Sequence, residues 1–242
     1  MIRFLLAALT AALFLILGIP VLIIEWIIGK FNKDFEDRSS LALVKGVLRL
    51  ITFFCGVKLD VYGEEKIPEN QPVLYIGNHL SIFDVILTYP LCKGLTGYIA
   101  KDSLKKVPLL KNWMERLYCL FLNRSDPREG MKMILKAIEY VKSGISIFIF
   151  PEGTRSRDGK LGEFKAGSFK IAKKTNCPIV PVCITNSQAV LEHMPFVRSK
   201  HVIITYLDPI VLGDLDPEEQ KHIGTYVQNK IAKQLEMDAK RI

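Results

Sequence analysis

From Gln71 onward the sequence alternates between two kinds of segment, and few folds accommodate that alternation. Strand-like apolar runs recur at Val73–Ile76, Leu95–Ala100, Leu117–Leu122, Ile145–Phe150, Ile179–Ile184 and Val202–Tyr206. Helical spacing separates them at Ile82–Tyr89, Leu109–Arg116, Pro127–Lys142 and Gly167–Lys174. Such an alternation folds as helices packed over a mostly parallel sheet. An earlier run, Val57–Tyr62, alternates like a strand and closes at Gly63. A last helix is expected from Asp216, with Pro217 at its first position, Glu219 completing a capping box, and a stripe of Ile223, Val227, Ile231 and Leu235. The expectation is a single α/β domain over residues 57–242, with a largely parallel central sheet flanked by helices.

Residues 1–56 precede that domain and read differently. Phe4 to Ile24 is an uncharged run of 21 residues, roughly 31 Å as a helix against a hydrocarbon core of about 30 Å. No small-residue cleavage site follows it, which argues against a signal peptide. Gly18 and Pro20 are expected to weaken its far end, so a full span and a segment dipping into one leaflet both stay open. Lys30, Lys33 and Arg38 follow the run while only Arg3 precedes it, which places the body on the cytoplasmic face of the membrane. Ser39–Cys55 is a second apolar helix carrying Lys45 and Arg49. It suits either the membrane surface or the core. Residues 1–56 are therefore expected to be membrane-anchoring helices.

A formal charge of +8 favours anionic partners: a membrane surface, a phosphorylated substrate or an acidic carrier. Neither paired Cys/His spacing nor an aromatic RNA-binding strand is present, so no nucleic-acid partner is expected. Five cysteines without a CxxC pair read as buried thiols of a reducing compartment. His193, His201 and His222 lack ligand-like spacing, so no metal site is expected.

The chemistry concentrates in Gly77-Asn78-His79-Leu80-Ser81-Ile82-Phe83-Asp84, where a strand passes into a helix. A histidine there, with a carboxylate five residues on, suits a general base held in one tautomer by an acid. Ser81 and Asp84 also resemble a capping box, and a purely structural reading stays open on this stretch alone. Phe150-Pro151-Glu152-Gly153-Thr154-Arg155-Ser156 follows another strand, at the kind of edge where α/β sheets hold ligands. Gly153 lets backbone amides approach an anion, and Arg155 adds a fork matched to phosphate. Arg124 ends the run Leu120–Asn123, and Lys165 lies beside Gly167 before a further helix. Together these groups suit a phosphorylated molecule whose hydroxyl is deprotonated. The chain lacks G-x-S-x-G, so a hydrolase with a nucleophile elbow is not indicated. A non-catalytic phospholipid-binding membrane protein would have no use for a His–Asp pair.

Taken as a set, NHxxxxD (Asn78–Asp84), LFLNR (Leu120–Arg124), FPEGTRS (Phe150–Ser156) and PIVPV (Pro178–Val182) resembles the PlsC-type glycerolipid acyltransferases. One departure is Asn123, where many members carry an acidic residue. The resemblance implies acyl transfer from a thioester, carried by coenzyme A or acyl carrier protein, to the sn-2 hydroxyl of 1-acyl-sn-glycerol-3-phosphate. The product would be phosphatidic acid, and no cofactor is implied. It implies His79 as base and Asp84 as its partner. Arg124 and the block Glu152, Gly153, Thr154 and Arg155 would form the acceptor-phosphate site, and Lys165 is a further substrate-binding candidate from its own place before a helix. Another phosphorylated or lyso-phospholipid acceptor is the alternative within the same chemistry.

Overall fold

A computed structural model describes residues 1–123, 126–156, 158–191, 197 and 200–242. Among these, seven strands form one sheet: β1 (Lys58–Tyr62), β2 (Leu74–Gly77), β3 (Thr96–Lys101), β4 (Leu120–Leu122), β5 (Ser146–Ile149), β6 (Ile179–Thr185) and β7 (His201–Tyr206). Their order is β1-β7-β6-β2-β5-β3-β4. Every pair is parallel except β6 with β7. The largely parallel sheet expected from the alternation is present.

Side chains alternate between two cores along each central strand, as strand geometry requires. In the run that leads through β2, Val73 and Tyr75 join one core while Leu74 and Ile76 join the other. Around β5, Phe148 and Phe150 face the first core, and Ile147 and Ile149 the second. The first core is covered by α1 (Ile2–Gly29), α2 (Lys33–Cys55) and α3 (Phe83–Thr88). The second is covered by α5 (Pro127–Lys142), α6 (Lys170–Thr175) and α8 (Ile223–Ala239). The short α4 (Leu110–Arg116) packs against α1 and α2, and α7 (Pro217–Lys221) precedes α8.

Several boundaries differ from expectation for identifiable reasons. The second helix begins at Lys33 rather than Ser39, because Asn32 caps it by accepting from Phe35 N at 3.0 Å. It ends at Gly56, whose φ of 65° is a left-handed cap. The strand expected over Leu117–Leu122 keeps only its last three residues. Tyr118 adopts φ 60°, and its chain turns there out of α4. The capping box at Asp216 and Glu219 forms, but the helix breaks at His222 into α7 and α8. The break lets Ile223, Val227 and Ile231 lie buried against the sheet.

The first helix runs through Gly18 and Pro20 to Gly29. Its inner face meets the body along the whole length. Phe4, Ala7 and Ala11 pack on the first core, Phe14 lies 4.7 Å from the Trp113 ring, and the Leu22 carbonyl accepts from Arg116 at 3.3 Å. Glu25 accepts from Ser40 Oγ at 2.5 Å. Gly18 is buried because the Trp113 indole lies on it: a methyl there would stand 2.9 Å from Trp113 Cζ2. The outer face, with Leu9, Leu13, Ile16 and Leu17, is exposed. An ion network anchors the helix turn to α4, with Arg116 on the buried Glu36 and the exposed Lys33 bridging Glu36 and Asp37.

If Trp113 seats the first helix, Gly18→Leu must lift it, since close-packed interfaces do not absorb four added carbons. With Trp26→Phe leaving one indole, the variant in detergent should show greater acrylamide quenching of Trp113 and a lower unfolding midpoint. Unchanged quenching would show that the helix does not depend on this contact.

Candidate active site

Strands β2 to β6 run the same way, so Gly77, Lys101, Leu122, Ile149 and Thr185 end at one edge of the sheet. Ligands of open α/β sheets are held at that edge. β2 lies at the centre and is fully buried. Asn78, just beyond it, donates to Ile184 O at 2.9 Å and accepts from Ile184 N at 2.8 Å. Those two bonds pin the end of β2 to the end of β6, and they fix where the next residue, His79, projects.

His79 Nδ1 lies 2.7 Å from Asp84 Oδ2. The same oxygen accepts from Leu80 N at 2.7 Å and Ser81 N at 2.9 Å. Asp84 is 0% exposed, and its other oxygen accepts from Ser187 Oγ. A carboxylate with four such neighbours is an acceptor throughout. His79 therefore donates through Nδ1–H, and in the neutral imidazole Nε2 is then the acceptor. The ring stacks on Phe150 at 4.1 Å between centroids and keeps 15% of its side chain exposed. Of the capping arrangement, Asp84 accepts from Ser81 N and Ser81 Oγ from Phe83 N, but Ile82 rather than Ser81 stands at the N-cap of α3.

The loop after β5 clamps the His79 backbone from both sides. Glu152 Oε1 accepts from His79 N at 2.7 Å, and Ser156 N donates to His79 O at 2.8 Å. Glu152 Oε2 accepts from Gly162 N at 2.9 Å. Burial raises the Glu152 carboxyl above the usual carboxylate range, although both amides pull it back. Gly153 has φ 73°, a left-handed conformation suited to glycine. The Lys165 side chain crosses it so closely that a Cβ would stand 2.9 Å from Nζ. Thr154, Arg155 and Lys165 are exposed. Among the described residues, Arg155 has no ion-pair partner. Arg124 lies outside the described residues, beyond the end of β4.

The structure thus joins His79, Asp84, Glu152, Gly153 and Lys165 through direct contacts, with Thr154 and Arg155 on the same loop. Three contributors had no signal as site residues in the sequence: Ser187, Phe150 as a stacking partner, and Gly162. All five cysteines are free thiols, and burial raises each of them, Cys92 to about 11. None is a ready nucleophile. No group of three or more metal-ligating side chains occurs among the described residues.

The family model described as Acyltransferase matches residues 58–185, more than half of the chain. A 1-acyl-sn-glycerol-3-phosphate acyltransferase of Borreliella burgdorferi is 30% identical over 201 residues, covering 82% of this chain and 80% of that protein. The chloroplastic 1-acyl-sn-glycerol-3-phosphate acyltransferase BAT2 of Brassica napus is 36% identical over 59% of this chain. This chain spans only 44% of the length of that relative. The crystal structure of the 1-acyl-sn-glycerophosphate (LPA) acyltransferase PlsC from Thermotoga maritima shares the fold, with a TM-score of 0.80 over 97% of this chain and 95% of that one, at 24% identity. This chain belongs to the acyltransferase family.

Proposed function

We infer that the chain transfers a fatty acyl group from a thioester to the sn-2 hydroxyl of 1-acyl-sn-glycerol-3-phosphate, giving phosphatidic acid. The observation that carries this reading is the His79–Asp84 pair, with Nε2 free at the ligand edge of the sheet and the Pro151–Arg155 turn beside it. The relatives named above supply the acceptor class. His79 Nε2 takes the hydroxyl proton as the oxygen attacks the thioester carbonyl. A C–O bond forms, the C–S bond breaks, and the imidazolium returns the proton to the leaving thiolate. Asp84 holds the tautomer and offsets the positive charge that develops. No acyl-enzyme is needed. Coenzyme A and acyl carrier protein both present the thioester this step uses.

Arg155, Lys165 and Arg124 are assigned to the acceptor phosphate. Glu152 acts differently from those cations: both its oxygens hold backbone amides, so it shapes the turn that presents them. The first helix is assigned to the membrane, lying along it rather than crossing it. Residues from Phe4 to Glu25 contact the body, whereas a helix that crosses the bilayer would leave the body after its first turns. The body then sits on the leaflet the helix enters, and the formal charge of +8 suits the anionic cytoplasmic one.

His79→Ala should abolish acyl transfer, and Asp84→Asn should reduce it by about 10²-fold or more, the scale of positioned acid–base help. Either variant, folded by circular dichroism but retaining a tenth or so of activity, would remove His79 from its role. Arg155→Ala should raise the acceptor KM by about ten- to a hundred-fold, the worth of a charge-assisted hydrogen bond. Lysine should restore part of the loss. A rise confined to the donor KM would reassign the guanidinium to the donor. Leu13→Asp with Leu17→Asp should end flotation with liposomes without unfolding the chain, since each charge costs about 2.5–3.5 kcal/mol in hydrocarbon and both side chains face outward. Flotation as before would overturn the membrane assignment.

A further inference from the structure

Asp84 meets four donors, but they are unequally shared. Three converge on Oδ2: His79 Nδ1, Leu80 N and Ser81 N. On Oδ1 the hydroxyl of Ser187 is the hydrogen-bond donor. Asp84 and Ser187 are both 0% exposed, so no bulk water can replace that bond. A buried carboxylate oxygen without a donor draws a proton or rotates toward one. Either response competes with the bond to His79 Nδ1–H, on which the free Nε2 depends.

Ser187 is also delivered with unusual care for a residue 103 positions from its partner. Asn78, next to His79, grips both backbone groups of Ile184. Asn186 then turns the chain in the left-handed conformation at φ 68° and secures the turn by donating to His201 O at 2.9 Å. The hydroxyl that follows points at Asp84. One end of this arrangement starts at the residue before His79 and the other returns to the residue that orients it.

We propose that Ser187 is a positioning residue of the transfer centre: it holds Asp84 Oδ1 so that Oδ2 keeps His79 in the tautomer with Nε2 unprotonated. The proposal rests on the reading of His79 and Asp84 as the base pair. The test compares the 242-residue chain with Ser187→Ala, which has no donor, and Ser187→Cys, which keeps the shape with a weak one. For each, kcat and both KM values are measured in liposomes. With histidine labelled by ¹⁵N, the low-field proton signal of His79 Nδ1–H is recorded, identified by its loss in His79→Ala. Ser187→Ala should lower kcat about tenfold or more, the scale of a lost hydrogen bond to a charged group, leave both KM values unchanged and displace the signal. Ser187→Cys should fall between Ala and wild type in both readouts. A kcat within about twofold of wild type in Ser187→Ala, or a signal that stays in place in all three proteins, overturns the proposal. If His79→Ala itself turns over normally, the base-pair reading has failed instead.

Discussion

A carboxylate removed from water must find its hydrogen-bond donors inside the protein, because an unpaired buried charge is among the costliest features a fold can contain. Asp84 finds two of them in the backbone of its own turn, at Leu80 and Ser81. That requirement dictates the shape of the stretch from His79 to Asp84. The five-residue separation lets the chain curl until the carboxylate reaches back to the turn amides and to the imidazole at once. The same curl starts α3. The turn can form only where a buried strand delivers it, and β2, central in the sheet and flanked by β5 and β6, is that strand.

Around this turn the site separates into groups that hold the chain and groups left exposed. Glu152 and Asn78 are buried and spend their polar atoms on backbone amides and carbonyls. The raised carboxyl of Glu152 is the cost of that placement. Thr154, Arg155 and Lys165, a few residues away, are exposed. Gly153 is the hinge between the two kinds, its left-handed backbone leaving room for the Lys165 side chain to cross it. A glutamate and an arginine three residues apart in one motif therefore stand in opposite surroundings, one buried on backbone amides and the other exposed.

Where the governing interaction was local, the sequence displayed it. The His79–Asp84 spacing, the capping box at Asp216 and the strand–helix alternation all rest on contacts within a few residues or on a repeating period. Ser187 meets Asp84 across 103 residues, and nothing near it in sequence marks the meeting. Glu152 read as a ligand residue by its neighbours, yet its oxygens face His79 N and Gly162 N, a fact of loop closure rather than of composition. The antiparallel return of β7 on β6 was likewise invisible, because an apolar run carries no sign of its direction. Tyr118, with its positive φ, shortened β4 in a way that no propensity would suggest.

The first helix shows how a pattern can be present and still escape a hydropathy reading. Its contacts with the body fall at Phe4, Ala7, Ala11, Phe14, Gly18, Leu22 and Glu25, steps of three and four that trace one helical face. In a water-exposed helix that face would be the apolar one and the opposite face polar. Here the opposite face carries Leu9, Leu13, Ile16 and Leu17 in the open, so apolarity does not separate them. What separates them is size and chemistry: the inner face holds two alanines, a glycine that accepts an indole, and a glutamate that accepts from Ser40. A glutamate facing lipid on all sides would have no such partner. The helix thus turns its small and polar side chains toward the protein and leaves a bare aliphatic face outward, an asymmetry of size and chemistry that a hydropathy average does not register.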